Sequence, residues 1–290
     1  MAEETTKRRT KDSIFVDLFS DVKYVFQLYT EMHPEDTEVT VDDITVKTLK
    51  SVMVNTRIND LSFVVRDRYI ALVEAQSTWN PNMTLRMLFY IAESYKRYLD
   101  ETDQSEHSST RVTLPEPELY LVYSGDKDVP EEISFAEEFF GGDSALDLKV
   151  KVIKDVNEQI AGQYIGFCKV YDEQRKIHKN SIECAKETIR ICKEKGYIPE
   201  YLALHEKEVV MMLDELFNEE YLREQYNKAE AKRERQEGRR EGERAGAIAM
   251  LVGLVKEGLL TVSQAAVRAK VTEPEFEKML AAYGEGATTA

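Results

Sequence analysis

Cysteine is scarce in this chain, and its distribution argues against a zinc site. The three cysteines are Cys168, Cys184 and Cys192, which lie far apart in a region that reads as helix. A zinc site needs a closer pair, such as two cysteines separated by two residues, and His178 alone lies nearby as a fourth ligand. We therefore expect three reduced thiols buried in the core.

Long apolar runs and glycine-rich loops are also missing. No window approaches the roughly 18 apolar residues of a membrane span, so we expect none. The basic residues 7–9 are followed by charged positions rather than by the apolar stretch of a signal peptide, and we expect a cytoplasmic protein. No glycine-rich fingerprint follows a strand, and the Gly141-Gly142 pair lies in an acidic loop, which excludes a Rossmann-type nucleotide site.

Positive charge is in deficit. The chain has 54 acidic and 39 basic side chains, which gives a formal net charge of −15. This charge argues against binding nucleic acid through general electrostatic attraction, but it is compatible with a local basic channel.

Apolar periodicity predicts an α/β core followed by helices. Residues 12–32 have one broad apolar face at helical spacing, with Asp12 or Ser13 as the cap. Segments rich in Val, Thr, Ile and aromatic residues predict strands, and apolar spacing of three and four predicts helices. The predicted strands lie within 38–53, 60–76, 118–125 and 145–153, and the predicted helices lie within 80–99 and from 157 onward.

The stretch DLSFVVRDRYIALVEAQ, residues 60–76, predicts an antiparallel hairpin. If Arg66, Asp67 and Arg68 form a three-residue loop, position 65 faces 69, 61 faces 73 and 60 faces 74. One face is then wholly apolar and can be buried: Leu61, Phe63, Val65, Tyr69, Ala71 and Val73. On the other face Asp60 meets Glu74, and Gln76 points the same way.

The paired acids allow two readings. Cross-strand carboxylates repel each other unless a cation lies between them, and Mg²⁺ is held by one or two carboxylates together with waters and phosphate oxygens. The other reading is an ordinary pair of polar residues that faces water, because a slip of the loop register would separate the two acids.

Asp60 followed 14 residues later by Glu-x-Gln, behind an amphipathic helix, resembles the PD-(D/E)XK nuclease superfamily. Further stretches resemble the Rpn-type recombination-promoting nucleases, also described as PD-(D/E)XK family transposases. They are KDSIFVDLFSD, NDLSFVV, VEAQ, MTLRMLFYIAESY, LPEPELYLVYSGDKDVPE and the Gly-Arg-Glu-rich helix before a small helical end. The resemblance covers nearly the whole chain, and the order of the motifs is more specific than any one of them.

The resemblance implies a restriction-endonuclease-like core, with a mixed sheet flanked by helices and a helical C-terminal extension. It also implies a metal-dependent DNA endonuclease linked to recombination or mobile elements. Asp60 and Glu74 would hold Mg²⁺ or another divalent cation such as Mn²⁺, with the Ala75 carbonyl as a third ligand. Gln76 stands where the superfamily usually has lysine, and an amide supplies hydrogen bonds but no positive charge.

The helix after the hairpin supplies candidate DNA contacts. Arg86 and Tyr90 are expected on its polar side, opposite Leu88, Ile91, Tyr95 and Leu99, where Arg86 would contact phosphate or remain an ordinary surface arginine. The superfamily often adds an acid from the first helix, for which Asp17 and Asp21 are both candidates. Trp79 is expected in the core rather than as a base-stacking residue.

The sequence predicts that the chain is divided into three parts. We expect a nuclease domain at 11–222 with its α/β core ending near 155, a charged helix at 223–246 and a small helical module at 247–282. Gly238, Gly242 and Gly246 recur every four residues, which favours close helix packing or a hinge, whereas the charges favour a solvated linker helix.

The small module resembles a helix-turn-helix or a dimerisation cap, and we expect self-association through these C-terminal helices. The alternative to the enzyme is a non-catalytic binding or assembly protein that keeps the nuclease fold. The net negative charge and Gln76 favour that alternative, and the clustering of Asp60 with Glu74 favours the nuclease.

Overall fold

The structure is a computed structural model, which describes residues 11–47, 60–66 and 69–285. It is an α/β fold in which helices flank a six-stranded mixed sheet and further helices follow. The strands are β1 (Ile44–Val46), β2 (Leu61–Val65), β3 (Tyr69–Gln76), β4 (Glu116–Tyr123), β5 (Glu132–Ser134) and β6 (Lys149–Ile153). The helices are α1 (Lys11–Leu18), α2 (Val22–Met32), α3 (Met83–Glu101), α4 (Phe135–Phe140), α5 (Ile160–Ile177), α6 (Ser181–Lys195), α7 (Pro199–Leu204), α8 (Glu206–Lys256), α9 (Val262–Ala269) and α10 (Glu273–Glu285).

The hairpin register confirms the prediction. β2 pairs antiparallel with β3, and the ladder runs from Leu61 opposite Val73 to Val65 opposite Tyr69. Asp67 and Arg68 of the predicted loop lie outside the described residues, while Arg66 has a left-handed φ of 49°. The guanidinium of Arg66 binds Asp43 at 2.9 Å, which ties the loop to the segment before β1.

The sheet order is β1-β2-β3-β4-β6-β5, and it mixes both strand directions. β3 pairs parallel with β4 and β4 parallel with β6, whereas β1, β2 and β5 add antiparallel pairs. α3 forms the crossover between the parallel strands β3 and β4. The carboxyl ends of these two strands therefore lie side by side, with Gln76 opposite Tyr123.

Alternating side chains give the sheet two buried faces. The face predicted from the hairpin packs under α1, α2, α5, α6 and α7, and includes Leu61, Phe63, Val65, Ala71, Val73 and Ala75. The opposite face packs under α3. It includes Val64, Leu72, Leu121 and Tyr123 of the sheet, which form one core with Met83, Met87 and Tyr90 of α3. Glu74 and Gln76 belong to this second face because they alternate with Ala75, and Asp60 belongs to it because it precedes Leu61. The side chain of Tyr69 is outside the described set.

The single helix predicted over 12–32 is wrong, because the chain forms two helices there. α1 ends at Leu18, and α2 begins after Asp21. The backbone of Asp21 is extended, and its side chain accepts a hydrogen bond from the Lys23 N–H at 2.9 Å. Ser20 donates to the Asp17 carbonyl at 2.7 Å, which closes the break. Phe15 before the break, Phe19 within it and Val25 after it are all buried, so the apolar pattern continues through the break and hides it.

Residues 1–219 and 220–290 form two compact units. In the second, the end of α8 packs with α9 and α10 around Val252, Ala265, Ala266 and Phe276. A capping box of Thr261 and Gln264 begins α9, and Glu275 accepts from the Thr272 N–H at 2.8 Å. The boundaries predicted at 222 and 246 both fall inside α8.

The three cysteines, Cys168, Cys184 and Cys192, are buried, as expected from their residue type. Burial raises the pKa of Cys192 to about 12. None of the described helices is long and apolar enough to cross a membrane.

Candidate active site

The hairpin brings Asp60 to the carboxyl end of β3. Asp60 lies just before β2, and its Oδ2 accepts a hydrogen bond from the Ala75 N–H at 2.8 Å. The ladder ends at Leu61 and Val73, so the contact beyond it is made by the Asp60 side chain. A paired strand residue directs its N–H and C=O to the same neighbour, and the Ala75 carbonyl therefore lies on the edge that faces Asp60.

Glu74 is a buried carboxylate with a cationic partner. Only 3% of the residue is exposed, and its Oε1 accepts a short hydrogen bond from Arg86. Arg86 belongs to the first part of α3, and this helix begins seven residues after β3 ends. The short connection places the first helical turns over the last inward-facing acid of the strand.

Arg86 is held on both sides. Its Nη2 and Nε donate to the Tyr90 hydroxyl at 2.8 and 3.2 Å, while Nη2 also binds Glu74. Burial disfavours the charged guanidinium, but the charges of Glu74 and Asp60 and the bond to Tyr90 outweigh burial, so the pKa of Arg86 is raised. Burial, followed by the charge of Glu74, raises the pKa of Tyr90 to about 12. Sequence reasoning expected a metal ion between the two acids, which stays a prediction; in the structure the guanidinium of Arg86 pairs with Glu74.

The face predicted for α3 needs correction. Tyr90 is buried rather than on the polar side, together with Met83, Met87, Ile91 and Ser94. These residues recur at three- and four-residue spacing and face the sheet, whereas Leu88 and Leu99 are only half-buried. Contact of Arg86 and Tyr90 with DNA stays a prediction, and for Tyr90 it requires the side chain to leave this buried position.

Gln76 lies two residues beyond Glu74 on the same face, as predicted. Its side-chain oxygen is buried and has no hydrogen-bond partner among the described residues. The backbone carbonyl of Gln76 accepts from the Ser124 N–H at 2.9 Å, which fixes this end of β3 against β4. A buried amide oxygen without a partner is costly, because desolvation is not compensated. It marks a position that a ligand, a water or a cation would satisfy.

The remaining candidates, Trp79, Asp17 and Asp21, each have a partner in the structure. Trp79 packs edge-on against Tyr123 with ring centroids 5.8 Å apart, which agrees with its expected core role. Asp21 caps α2, and Asp17 accepts from the Tyr201 hydroxyl at 2.6 Å. Both first-helix acids thus have structural partners, and the choice between them as site residues stays open.

The end of the hairpin carries several oxygen donors. It gathers the carboxylates of Asp60 and Glu74, the Ala75 carbonyl edge and the unsatisfied Gln76 oxygen, all of which are oxygen donors. Within the described residues there is no group of three or more His, Cys, Asp or Glu side chains placed to hold a metal. Mg²⁺ does not need such a group, since it usually keeps several waters and takes one or two carboxylates.

Comparisons with family models, with curated proteins and with solved structures return no match to this chain. Any assignment of chemistry to the site therefore rests on the residues themselves.

Proposed function

We propose that the chain is a Mg²⁺-dependent DNA endonuclease of the PD-(D/E)XK superfamily, related to the Rpn-type nucleases. One observation carries the proposal: the hairpin places Asp60 at the same strand end as buried Glu74 and the unsatisfied Gln76 oxygen. The mixed sheet flanked by helices is the core that this superfamily resemblance implies.

Each side chain has a role in this proposal. Asp60 and Glu74, with the Ala75 carbonyl, would hold the cation, and a bound Mg²⁺ or Mn²⁺ would supply an activated water and neutralise developing phosphate charge. Arg86 provides the positive charge that Gln76 lacks, and its guanidinium suits a phosphate oxygen as well as it suits a carboxylate. Tyr90 positions Arg86 through its hydroxyl. Gln76 contributes a hydrogen-bonding amide at the mouth of the site.

The test is nicking of supercoiled plasmid DNA with Mg²⁺ and with EDTA. We expect Mg²⁺-dependent nicking by the wild-type chain, and loss of roughly 10²–10³-fold in Asp60→Asn and Glu74→Gln, as for removal of a preorganised electrostatic group. Both substitutions keep the shape and an acceptor oxygen, so the Ala75 and Arg86 contacts survive.

Glu118→Gln is the matched control. Glu118 is a partly buried, hydrogen-bonded carboxylate on β4, opposite Ala71 and away from the strand end. Its variant should nick like the wild type. Equal loss in all three variants would indicate general damage to the sheet and would count against the site.

A non-catalytic role is the second candidate, and the Arg86–Glu74 ion pair favours it. The pair already neutralises the buried carboxylate without any bound ion. A protein that uses this fold for binding or assembly would keep the pair purely for stability. Absence of nicking at any divalent cation concentration, together with native folding, would select this candidate.

We also propose self-association through the C-terminal helices. Leu251 and Val255 of α8 pack against the core of the second unit itself. An added Cβ at Gly238, Gly242 or Gly246 meets no atom within 4 Å, so these glycines have open space beside them.

A further inference from the structure

The exposed middle of α8 carries a row of basic side chains on one face. Lys228, Lys232, Arg235 and Arg239 follow a spacing of four, three and four residues, which places them within an arc of about 60° and along about 16 Å of helix. They share one open helix face with Ala231 and Gln236. All four side chains are exposed.

Four acidic side chains of this segment lie on the opposite face. Glu230, Glu234, Glu237 and Glu241 fall within another arc of about 60°, centred on the far side of the helix. A linker helix stabilised by its own ion pairs mixes the two signs along each face. Here the four cations of the row are grouped away from these four acids, and ion pairs occur at the edges of the row and between Arg233 and Glu237.

The four cations are accessible for an external partner. Lys232 and Arg235 have no ion pair with any residue in the described part of the chain. Lys228 is 3.9 Å from Glu224 and Arg239 is 2.8 Å from Glu243, both at the edges of the row. Exposed pairs of this kind are worth roughly 0–1 kcal/mol, so a phosphate readily replaces the carboxylate.

The charge of the chain is distributed unevenly between its two units. Residues 220–290 carry twelve basic and twelve acidic side chains, whereas residues 1–219 carry 27 and 42. The whole net charge of −15 therefore lies in the unit that contains the candidate active site. General electrostatic attraction to DNA is therefore weak for that unit, and a separate basic surface supplies the positive charge that phosphate binding needs.

A second copy of the chain does not fit the basic row. In a symmetric dimer each surface meets its own copy, so four cations would face four cations. Contact of the basic row with the acidic row of another copy is head-to-tail, and such contacts build open chains unless the rotation closes. A polyanion with regularly spaced charges is the complementary partner.

We propose that the row Lys228, Lys232, Arg235 and Arg239 binds the phosphate backbone of duplex DNA without regard to sequence. The choice of DNA rests on the proposed function, since the substrate there is the same duplex. In this proposal the four cations contact phosphate oxygens, and such contacts carry no sequence information. Binding therefore needs neither the divalent cation nor Glu74.

The experiment measures fluorescence anisotropy of a labelled duplex of arbitrary sequence with the full chain, in EDTA, over a range of salt concentrations. The test variant is Lys232→Gln, Arg235→Gln, Arg239→Gln. The control variant is Arg233→Gln, Arg240→Gln, Arg244→Gln, which removes the same charge from the same helix but from the stripe beside the acidic face. Circular dichroism checks that both variants keep their helix.

The logarithm of the binding constant falls with that of the salt concentration by about 0.9 for each phosphate neutralised. We expect the test variant to lose about 2.7 of this slope, and at about 0.1 M salt the same relation limits the loss of affinity to roughly 500-fold. The control should keep the wild-type slope to within about one phosphate.

Equal losses in the two variants would overturn the proposal, because the field of the whole helix would then explain binding. A test variant with unchanged affinity would overturn it too, and so would one whose only change is a lower mass in sedimentation, since the partner would then be a second copy. Binding in EDTA combined with no nicking in Mg²⁺ would retain the DNA-binding row and reject the proposed nuclease. If the wild-type chain nicks DNA but the test variant binds DNA normally, the proposed nuclease is retained and the DNA-binding row is rejected.

Discussion

Replacing Arg86 by methionine removes the counter-charge of a buried carboxylate and should destabilise the first unit. Methionine keeps the unbranched stem, so the change is mainly the loss of the guanidinium. Removing one partner of a fully buried ion pair costs about 3–5 kcal/mol. The Glu74 side chain is 4% exposed but that of Arg86 is 34% exposed, so water reaches the vacated end. We therefore expect a cost below that range, about 2–3 kcal/mol, after solvent screening.

A divalent cation should restore much of this loss if the site binds one. A ligand present at about 100 times its dissociation constant stabilises the folded state by about 2.7 kcal/mol. In the wild type the cation competes with Arg86 for Glu74, whereas in the variant it meets no competitor. Mg²⁺ should thus raise the stability of Arg86→Met more than that of the wild type.

Urea unfolding in EDTA and in Mg²⁺, followed by Trp79 fluorescence, measures both effects. Trp79 is the single tryptophan and packs on the same sheet face, so its signal reports on this unit. Arg190→Met is the control, because Arg190 forms ion pairs with Glu187 and Glu194 on an exposed helix surface. The reasoning fails if Arg86→Met matches the wild type in EDTA, or if Mg²⁺ stabilises neither protein.

Other substitutions test the remaining contacts. Asp60→Ala should cost about 1–3 kcal/mol in urea melts, because the Ala75 N–H loses its acceptor, and Asp60→Asn should cost less; equal costs would argue against this bond. Gln76→Lys should keep or raise Mg²⁺-dependent nicking if Gln76 lines the site, whereas a loss of several kcal/mol in thermal melts would identify a buried structural amide. Burial raises the pKa of Glu31 above its ordinary 4.5, so the folded state holds this proton more tightly and the charged form costs stability at higher pH. Glu31→Gln should accordingly unfold at higher urea concentration near neutral pH, and this gain should vanish below about pH 4; a gain that persists there would contradict the assignment. Truncation after Tyr226 should lower the oligomer mass in sedimentation. A full-length chain that is already monomeric would contradict self-association through the C-terminal helices.

The hairpin was predictable from sequence because its information is local. Alternation of period two and a three-residue loop fix the register from Leu61 to Tyr69 without knowledge of the rest of the fold. Helix α3 and strands β4 and β6 were likewise visible as periodic segments. The break between α1 and α2 was not, since the cap at Asp21 interrupts the backbone while the apolar face continues.

The partner of Glu74 depends on tertiary placement. Arg86 is twelve residues away along the chain, and only the angle at which α3 crosses the sheet brings the two together. Spacing along the helix alone put Tyr90 on the wrong side, because the buried face centres on Met83, Met87 and Tyr90 rather than on the leucines. β5 and α4 were missed because each is too short for a periodic pattern.

Isothermal titration of Mn²⁺ into the metal-free chain tests the central claim most directly. Asp60 and Glu74 are claimed to hold one cation together, so the wild type should show saturable binding that Glu74→Gln and Asp60→Asn each abolish while Glu118→Gln preserves it. No binding by the wild type, or equal binding by all four proteins, would contradict the metal site at the end of the hairpin.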